Sequence, residues 1–176
     1  MKLNYQWPLP SQPRPIAIIG SGGIVKDAHL PAYQKAEFKV LGVYDINPEQ
    51  SAKIANSWNL KAFGSLDSLI SSAQSQNAVF DLALPPSAVS NVLEQLPEHA
   101  TVLIQKPMGS DLEEAKIIKA ICERKKFTAA VNFQLRFSPM MLALKDAMSK
   151  GHLERILDLE VHLNLEASWE LFPFLK

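Results

Sequence analysis

Short runs of mostly apolar residues recur along the chain, and stretches with helical spacing separate them. The run Ile16–Ile19 contains no polar residue. A continuous apolar run is typical of a strand buried on both faces, whereas a half-exposed strand alternates apolar and polar residues. The pattern therefore predicts strands of a buried parallel sheet at Ile16–Ile19, Phe38–Tyr44, Ala62–Phe63, Ala78–Leu84, Thr101–Ile104 and Phe127–Phe133.

Helical signals fill the segments between these runs. Pro48 suits a first helical turn, and Ser110 with Glu113 has the spacing of a capping box. The helix that this box opens is predicted to share one face among Leu112, Ala115, Ile118 and Cys122. The other helices are predicted from Ile24 to about Lys35, from Pro48 through Trp58, around Leu66–Ile70, from Ser87 to Leu96 and from Pro139 to Lys150. Strands that alternate with helices predict an α/β fold with a Rossmann-like, doubly wound parallel sheet.

The pattern changes near the end of the chain, where apolar and polar residues alternate from Leu157 to Leu165. This period of two is typical of an antiparallel strand with one buried and one polar face. We therefore predict a Rossmann-like domain over residues 14–150 and the start of an incomplete second domain over residues 151–176. Because one strand is not a sheet, either the sequence is a truncated piece or this strand pairs with a partner.

Composition narrows the classes of protein. The chain has 18 basic and 18 acidic residues, without the basic stripe that predicts nucleic-acid binding. We expect no membrane partner, because no apolar run is long enough to span a bilayer. The single cysteine, Cys122, excludes an internal disulfide and favours the reducing cytoplasm. No two histidines have metal-ligand spacing, so we predict no metal.

A glycine cluster follows the first predicted strand directly. Gly20 and Gly22 match the first two positions of the dinucleotide fingerprint G-x-G-x-x-G/A, but the third position is Val25. The first glycine of the fingerprint makes a tight turn, and the second lets the backbone approach a pyrophosphate at a helix N-terminus. We expect Val25 to widen the gap between helix and strand behind Gly20. An ordinary strand–helix turn remains the alternative.

Asp45 ends the second predicted strand, at about the distance where the fingerprint expects a carboxylate for the adenosine ribose. A carboxylate there repels a 2′-phosphate, and Asp45-Ile46-Asn47 offers no arginine to accept one. This favours NAD over NADP. A helix-capping or turn aspartate before Asn47-Pro48 is the alternative.

Lys106 follows a buried strand and precedes a proline at the expected ligand edge. A lysine partly desolvated there could handle a proton, although a solvated strand-end lysine has the same pattern. We expect His29 to be a packed or capping histidine rather than a catalyst.

Five segments in this order resemble the Gfo/Idh/MocA oxidoreductases, the relatives of glucose–fructose oxidoreductase and inositol dehydrogenase. They are Gly20–Ile24, Ala28–Ala32, Leu84–Pro86, Gln105–Pro107 and Val131–Phe137. The resemblance covers Ile16 to about Leu175, and identifies the chain as the N-terminal part of a member. It implies a complete member with an α/β substrate and dimerisation domain, of which the chain contains only the first strand. It also implies a homo-oligomer formed through that domain's sheet.

The resemblance also implies roles for individual residues. Lys106 stands in the family's Glu-Lys-Pro motif and would be the catalytic group that reaches nicotinamide and substrate. The preceding residue is Gln105 instead of glutamate, and Val89 stands where a histidine is usual. The residues implied to contact the cofactor are Gly20, Ser21, Gly22, Gly23, Ile24, Asp45, Ile46, Leu84, Pro85, Gln105, Lys106 and Gln134.

The predicted function is NAD-dependent hydride transfer between nicotinamide and a secondary alcohol of a sugar, cyclitol or related polyol. A non-catalytic nucleotide-sensing regulator of the same fold is the second hypothesis, because Gln105 and Val89 depart from the family pattern. A third is an inert fragment that binds no cofactor.

Overall fold

The computed structural model describes residues 2–162 and residue 164. Its centre is a parallel sheet with the strand order β2-β1-β3-β4-β5. The strands are β1 (Ile16–Ile19), β2 (Val40–Tyr44), β3 (Val79–Leu82), β4 (Thr101–Gln105) and β5 (Thr128–Asn132). The order reverses between β1 and β3, and ligands of doubly wound sheets bind in the crevice at such a switch point.

Helices follow the strands, as the sequence predicts. They are α1 (Leu30–Lys35), α2 (Pro48–Trp58), α3 (Leu66–Ser75), α4 (Pro86–Gln95), α5 (Leu112–Arg124) and α6 (Pro139–Ser149). A π-helical turn, Val25–His29, precedes α1, and a 3-10 turn, Gln134–Phe137, follows β5. Within the described ranges, no helix is long and apolar enough to cross a membrane.

Helices cover both faces of β1, which confirms the Rossmann-like, doubly wound architecture, whereas the edge strand β5 is mostly exposed. Ala17 and Ile19 of β1 belong to one apolar cluster, together with side chains of α3, α4 and α5. Ile16 and Ile18 belong to the other cluster, together with side chains of α1 and α2. Alternate residues of a strand point to opposite faces, so a strand covered on both sides must be apolar throughout. This requirement explains the uninterrupted run at β1.

Three local predictions are wrong. Ala62 forms a single parallel bridge with Val43 instead of a separate strand. Ser110 does not cap α5, because Asp111 is its N-cap and accepts a hydrogen bond from the Glu114 N–H at 2.9 Å. The Glu114 carboxylate accepts the Ser110 N–H at 2.6 Å. Leu112, predicted to share the apolar face of α5 with Ile118, is 69% exposed, whereas Ile118 is fully buried.

The predicted alternating strand is wrong in its described part. Residues 157–162 have no strand structure, and Leu157, Leu159 and Val161 are 81%, 61% and 62% exposed. Such a strand is stable only where its apolar face packs against neighbouring strands. The described residues offer it no neighbouring strand. Leu163 and Leu165 lie outside the described residues, and the homo-oligomer that was expected through this segment stays a prediction.

The chain divides into two compact units. One comprises residues 7–137 and contains the whole sheet, and the other combines residues up to Gln6 with those from Ser138 onward. In this second unit the Asn4 N–H donates to Asp146 Oδ2 at 2.8 Å. The domain boundary expected at residue 150 stays a prediction.

Candidate functional site

The candidate site lies at the carboxyl edge of the sheet, where all five parallel strands end. The sequence-predicted residues follow these ends in strand order. Asp45 and Ile46 follow β2, Gly20–Ile24 follow β1, Leu84 and Pro85 follow β3, Gln105 and Lys106 lie at the end of β4, and Gln134 follows β5. Ligands of open parallel sheets bind at this edge.

Gly20 is held between the ends of two neighbouring strands. Its N–H donates to the Tyr44 carbonyl at 2.8 Å, and its φ is +98°, in the region that favours glycine. A Cβ built on Gly20 would lie 2.3 Å from the carbonyl oxygen of Ala83. The turn after β1 therefore requires glycine for both its conformation and its packing.

Gly22 has the opposite surroundings. A Cβ built there would meet no atom within 4 Å, so the space beside its backbone is open. Helical structure begins at residue 23, and the first N–H groups of a helix have no partners inside it. These donors and the positive end of the helix dipole favour an anion. Gly22 and Gly23 are both exposed and leave the start of this helix open, and we call these two residues the glycine cradle.

Val25 stands at the third position of the fingerprint. It is fully buried in the cluster that contains Ile18 and Val43. The helix opens with a wider π turn at this point, in which the Leu30 N–H donates to the Val25 carbonyl. The larger side chain and the wider turn thus occur together. The separation of helix and strand expected behind Gly20 stays a prediction.

Asp45 is joined to the glycine turn by two hydrogen bonds. The backbone N–H and the Oγ of Ser21 both donate to Asp45 Oδ2, each at 2.7 Å. Asp45 Oδ1 accepts the N–H of Asn47 at 2.9 Å, as expected for the turn alternative. Asp45 is therefore a turn residue, and its carboxylate also lies next to the glycine cradle.

The remaining predicted cofactor residues line the edge at different depths. Ile46 is 92% exposed beside Asp45. Leu84 is half-buried and packs near Gly20, and Pro85 is the N-cap of α4. Gln134 is exposed in the first position of its 3-10 turn. Their contacts with a cofactor stay predictions.

Gln105 and Lys106 have different surroundings although they are neighbours. The Lys106 side chain is exposed, whereas Gln105 is only 7% exposed. Gln105 Oε1 accepts the backbone N–H of Lys106 at 2.7 Å. The Lys106–Pro107 peptide bond is cis. Gln105 is therefore bound to the peptide of Lys106, the residue expected to carry the chemistry.

His29 is packed, as expected, but it also joins several site strands. Its Nδ1 lies 2.7 Å from Asp81 Oδ2, and its Nε2 lies 3.1 Å from Gln105 Nε2. Tyr33 donates its hydroxyl to the same Asp81 oxygen at 2.8 Å. The sequence pattern did not identify Asp81, Tyr33 or the link to Gln105 as parts of this site. The available signal was the aspartate in the otherwise apolar run Val79–Leu82, since a buried carboxylate needs partners.

Burial of the Tyr33 hydroxyl, together with the charge of Asp81, raises the pKa of Tyr33 far above its usual value of 10.0. The folded state therefore keeps this proton where the unfolded state releases it. The contribution of this proton to the free energy of unfolding is fully present below about pH 10. Above that pH it is lost, by up to about 1.4 kcal/mol per pH unit. Tyr33→Phe should flatten this decline, measured by urea unfolding between about pH 9 and pH 11. An equally steep decline in the variant would show that the Tyr33 proton does not cause this loss of stability.

Comparisons with known proteins identify the class that this fold and site define. Residues 14–133 match the model of the GFO_IDH_MocA family, described as an oxidoreductase family with an NAD-binding Rossmann fold. The match covers more than half of the chain. The chain therefore belongs to the Gfo/Idh/MocA oxidoreductase family, as its motifs predicted.

The chain is also similar to individual dehydrogenases. The chain is 32% identical over 150 residues to the glucose-6-phosphate 3-dehydrogenase of Bacillus subtilis, covering 84% of the chain and 41% of that protein. It is similar to the structure of UDP-N-acetylglucosamine 3-dehydrogenase GnnA from Acidithiobacillus ferrooxidans, with 25% identity, a TM-score of 0.62 and coverage of 76% and 42%. The WlbA dehydrogenase from Bordetella pertussis, solved with NADH and UDP-GlcNAcA, shares the fold at 21% identity and a TM-score of 0.62, with coverage of 82% and 44%. The chain thus spans about two fifths of these relatives.

Proposed function

We propose that this chain is the cofactor-binding part of an NAD-dependent oxidoreductase that acts on a secondary alcohol of a sugar, cyclitol or related polyol. The observation that carries the proposal is the open cradle beside Gly22, with Asp45 on one side of the switch point and Lys106 on the other. Membership of an oxidoreductase family supports the reaction class. The named sugar substrates of two relatives support the substrate class.

Different residues of the chain would contact the pyrophosphate, the ribose and the substrate. Gly22 and Gly23 would receive the pyrophosphate at the start of the helix, and Asp45 would receive the ribose hydroxyls. NAD, when bound, supplies the hydride acceptor at its nicotinamide ring. Lys106 would lie on the substrate side, where its neutral amine would take the proton of the alcohol oxygen as the hydride leaves the carbon for NAD. The ammonium formed in this way would stabilise negative charge on that oxygen and would return the proton in the reverse reaction.

Calorimetric titration of the chain with NAD and NADH tests cofactor binding directly. We expect saturable binding of one dinucleotide per chain. Turnover is then measured with the longest form of the protein that its source produces, using a panel of sugars and cyclitols and following NADH absorbance. Binding followed by turnover supports the proposal. Absence of binding to both dinucleotides would contradict it and favour the inert fragment.

Asp45→Asn should weaken the preference for NAD over NADP. The amide keeps an oxygen for Ser21, gives up the acceptor for the Asn47 N–H, and removes the charge that repels a 2′-phosphate. We expect the ratio of the two dissociation constants to move towards NADP by about tenfold, which corresponds to about 1.4 kcal/mol. Asp67→Asn, the same change on the exposed first turn of α3, is the control. An unchanged ratio would exclude Asp45 as the group that selects the cofactor.

A nucleotide-sensing regulator is the second candidate. Val89, at the position where a histidine is usual in the family, is fully buried in the core and offers no polar group to a substrate. Such a protein would bind NAD with an affinity like that of an enzyme but turn over no substrate in its longest form. Dinucleotide binding without turnover across the whole panel would therefore favour this candidate.

A further inference from the structure

A chain of buried polar side chains connects the middle of the sheet with the peptide of Lys106. It begins at Asp81, which is 0% exposed in the central strand β3. It continues through His29, at the end of the π turn before α1, to Gln105 at the end of β4. The three residues lie on separate elements that the fold brings together. The donor and acceptor roles at the two His29 contacts depend on which ring nitrogen carries the proton.

The contact with Lys106 fixes which way the Gln105 amide points. The Lys106 N–H can only donate, and it lies 2.7 Å from Gln105 Oε1. The other end of the amide, Nε2, therefore faces His29 Nε2 at 3.1 Å. An amide nitrogen is a donor, so His29 Nε2 must accept. A second amide nitrogen, Asn132 Nδ2, approaches the same ring atom at 3.5 Å.

A neutral imidazole that accepts at one nitrogen carries its proton on the other. That other nitrogen, His29 Nδ1, lies 2.7 Å from Asp81 Oδ2. Tyr33 is the second titratable group that contacts this carboxylate, and it donates its hydroxyl to the same oxygen. The second oxygen, Asp81 Oδ1, has no hydrogen-bond partner among the described residues. His29 and Tyr33 are thus the two donors that hold the buried Asp81 carboxylate.

We propose that His29 is a positioning residue that is neutral, carries its proton on Nδ1, and holds the Gln105 amide in the orientation that fixes the Lys106 peptide. This deepens the proposed function, because Lys106 is its substrate-side group. An acceptor-only glutamate at position 105, as in the family's Glu-Lys-Pro motif, would instead need a proton on His29 Nε2. The glutamine at position 105, in place of the family's glutamate, therefore fits a His29 that has no proton on Nε2.

The protonation state can be measured without any cofactor. The full chain, labelled with ¹⁵N-histidine, is studied by two-dimensional NMR at neutral pH, where the pattern of ring correlations identifies which nitrogen carries hydrogen. We expect His29 to show a protonated Nδ1 and an unprotonated Nε2. A proton on Nε2, alone or together with Nδ1, would overturn the proposal.

Gln105→Glu tests the match between the two residues. The carboxylate accepts from both neighbours, so His29 should take up a second proton, because imidazole is a stronger base than carboxylate. We expect the His29 Nε2 resonance to move from the unprotonated to the protonated range. Gln95→Glu, the same change at an exposed residue of α4, should leave it unmoved. An unmoved resonance in the first variant would overturn the match.

His29→Phe tests positioning, because it keeps a ring but removes both nitrogens. Hydrogen exchange is compared at two backbone amides, Lys106 and the core residue Ile18. We expect exchange at Lys106 to accelerate at least about tenfold more than exchange at Ile18. The Lys106 amide would exchange by a local opening of its contact with Gln105, whereas a core amide exchanges only when a larger part of the fold opens. Equal acceleration at both would mean general loosening and would overturn the positioning role. These readouts do not depend on NAD, so failure of the proposed function remains separately visible in the calorimetric titration.

Discussion

Gly20→Ala is expected to lower the free energy of unfolding by about 3–5 kcal/mol, a large part of a typical domain's stability. Two costs add at this position. An alanine is strained at a φ of +98°, and its Cβ would lie 2.3 Å from the Ala83 carbonyl oxygen. That oxygen belongs to the backbone after β3, so a shift would disturb the end of the central strands. Urea unfolding followed by circular dichroism measures the change.

Gly22→Ala is the matched control, and its expected effects are reversed. The new methyl group meets no atom within 4 Å, so stability should change by no more than about 0.5 kcal/mol. The methyl group instead occupies the space proposed for the pyrophosphate, and NAD affinity should fall at least about tenfold. If Gly20→Ala left stability unchanged, or Gly22→Ala left NAD affinity unchanged, the roles assigned to the two glycines would be wrong.

The fold could be predicted because its cause is visible within short segments. Burial of β1 on both faces demands apolar side chains at every position, and Ile16–Ile19 meets that demand. The glycine turn could also be predicted, because a left-handed backbone conformation after a strand favours glycine. The order of motifs then placed Asp45 and Lys106 at the same edge of the sheet, since parallel strands end together.

The errors arise where a neighbour decides the outcome. Ala62 forms a single bridge with Val43 at the outer edge of β2 instead of a strand, because the pairing is confined to the hydrogen bonds that Val43 makes with Lys61 and Phe63. The alternation at Leu157 predicts a strand, but alternation describes only which face would be buried, and among the described residues no strand pairs with this segment. Asp111 takes the N-cap in place of Ser110, a difference of one residue that local spacing does not resolve.

The network around His29 could not be predicted, because its members are far apart in the sequence. Asp81 and Gln105 are 52 and 76 positions from His29. From the sequence, Gln105 differs from the family's glutamate only by the loss of a negative charge. In the structure, it donates at one end and accepts at the other, which a glutamate cannot do. The identity of the residue was visible, but its consequence depended on the orientation of the amide.

Lys106→Ala should separate cofactor binding from turnover. The side chain is exposed at the end of β4, and its backbone N–H, which alanine retains, makes the contact with Gln105. The free energy of unfolding should therefore change by less than about 0.5 kcal/mol, and the dissociation constant for NAD by less than about threefold. Loss of the ammonium that stabilises charge on the alcohol oxygen should lower kcat by about 10²–10⁴-fold.

The kinetic comparison uses the longest form of the protein, with Lys116→Ala on the exposed face of α5 as the control for removing one lysine. A fall in kcat confined to Lys106→Ala would place this side chain at the reacting oxygen, because a binding role alone would raise KM and leave kcat unchanged. Equal turnover in the two variants would remove Lys106 from the chemistry. The conservative Lys106→Arg keeps the charge but holds its proton too tightly to release it. It should therefore recover substrate affinity without recovering kcat if Lys106 moves a proton, and should recover both if only its charge is needed.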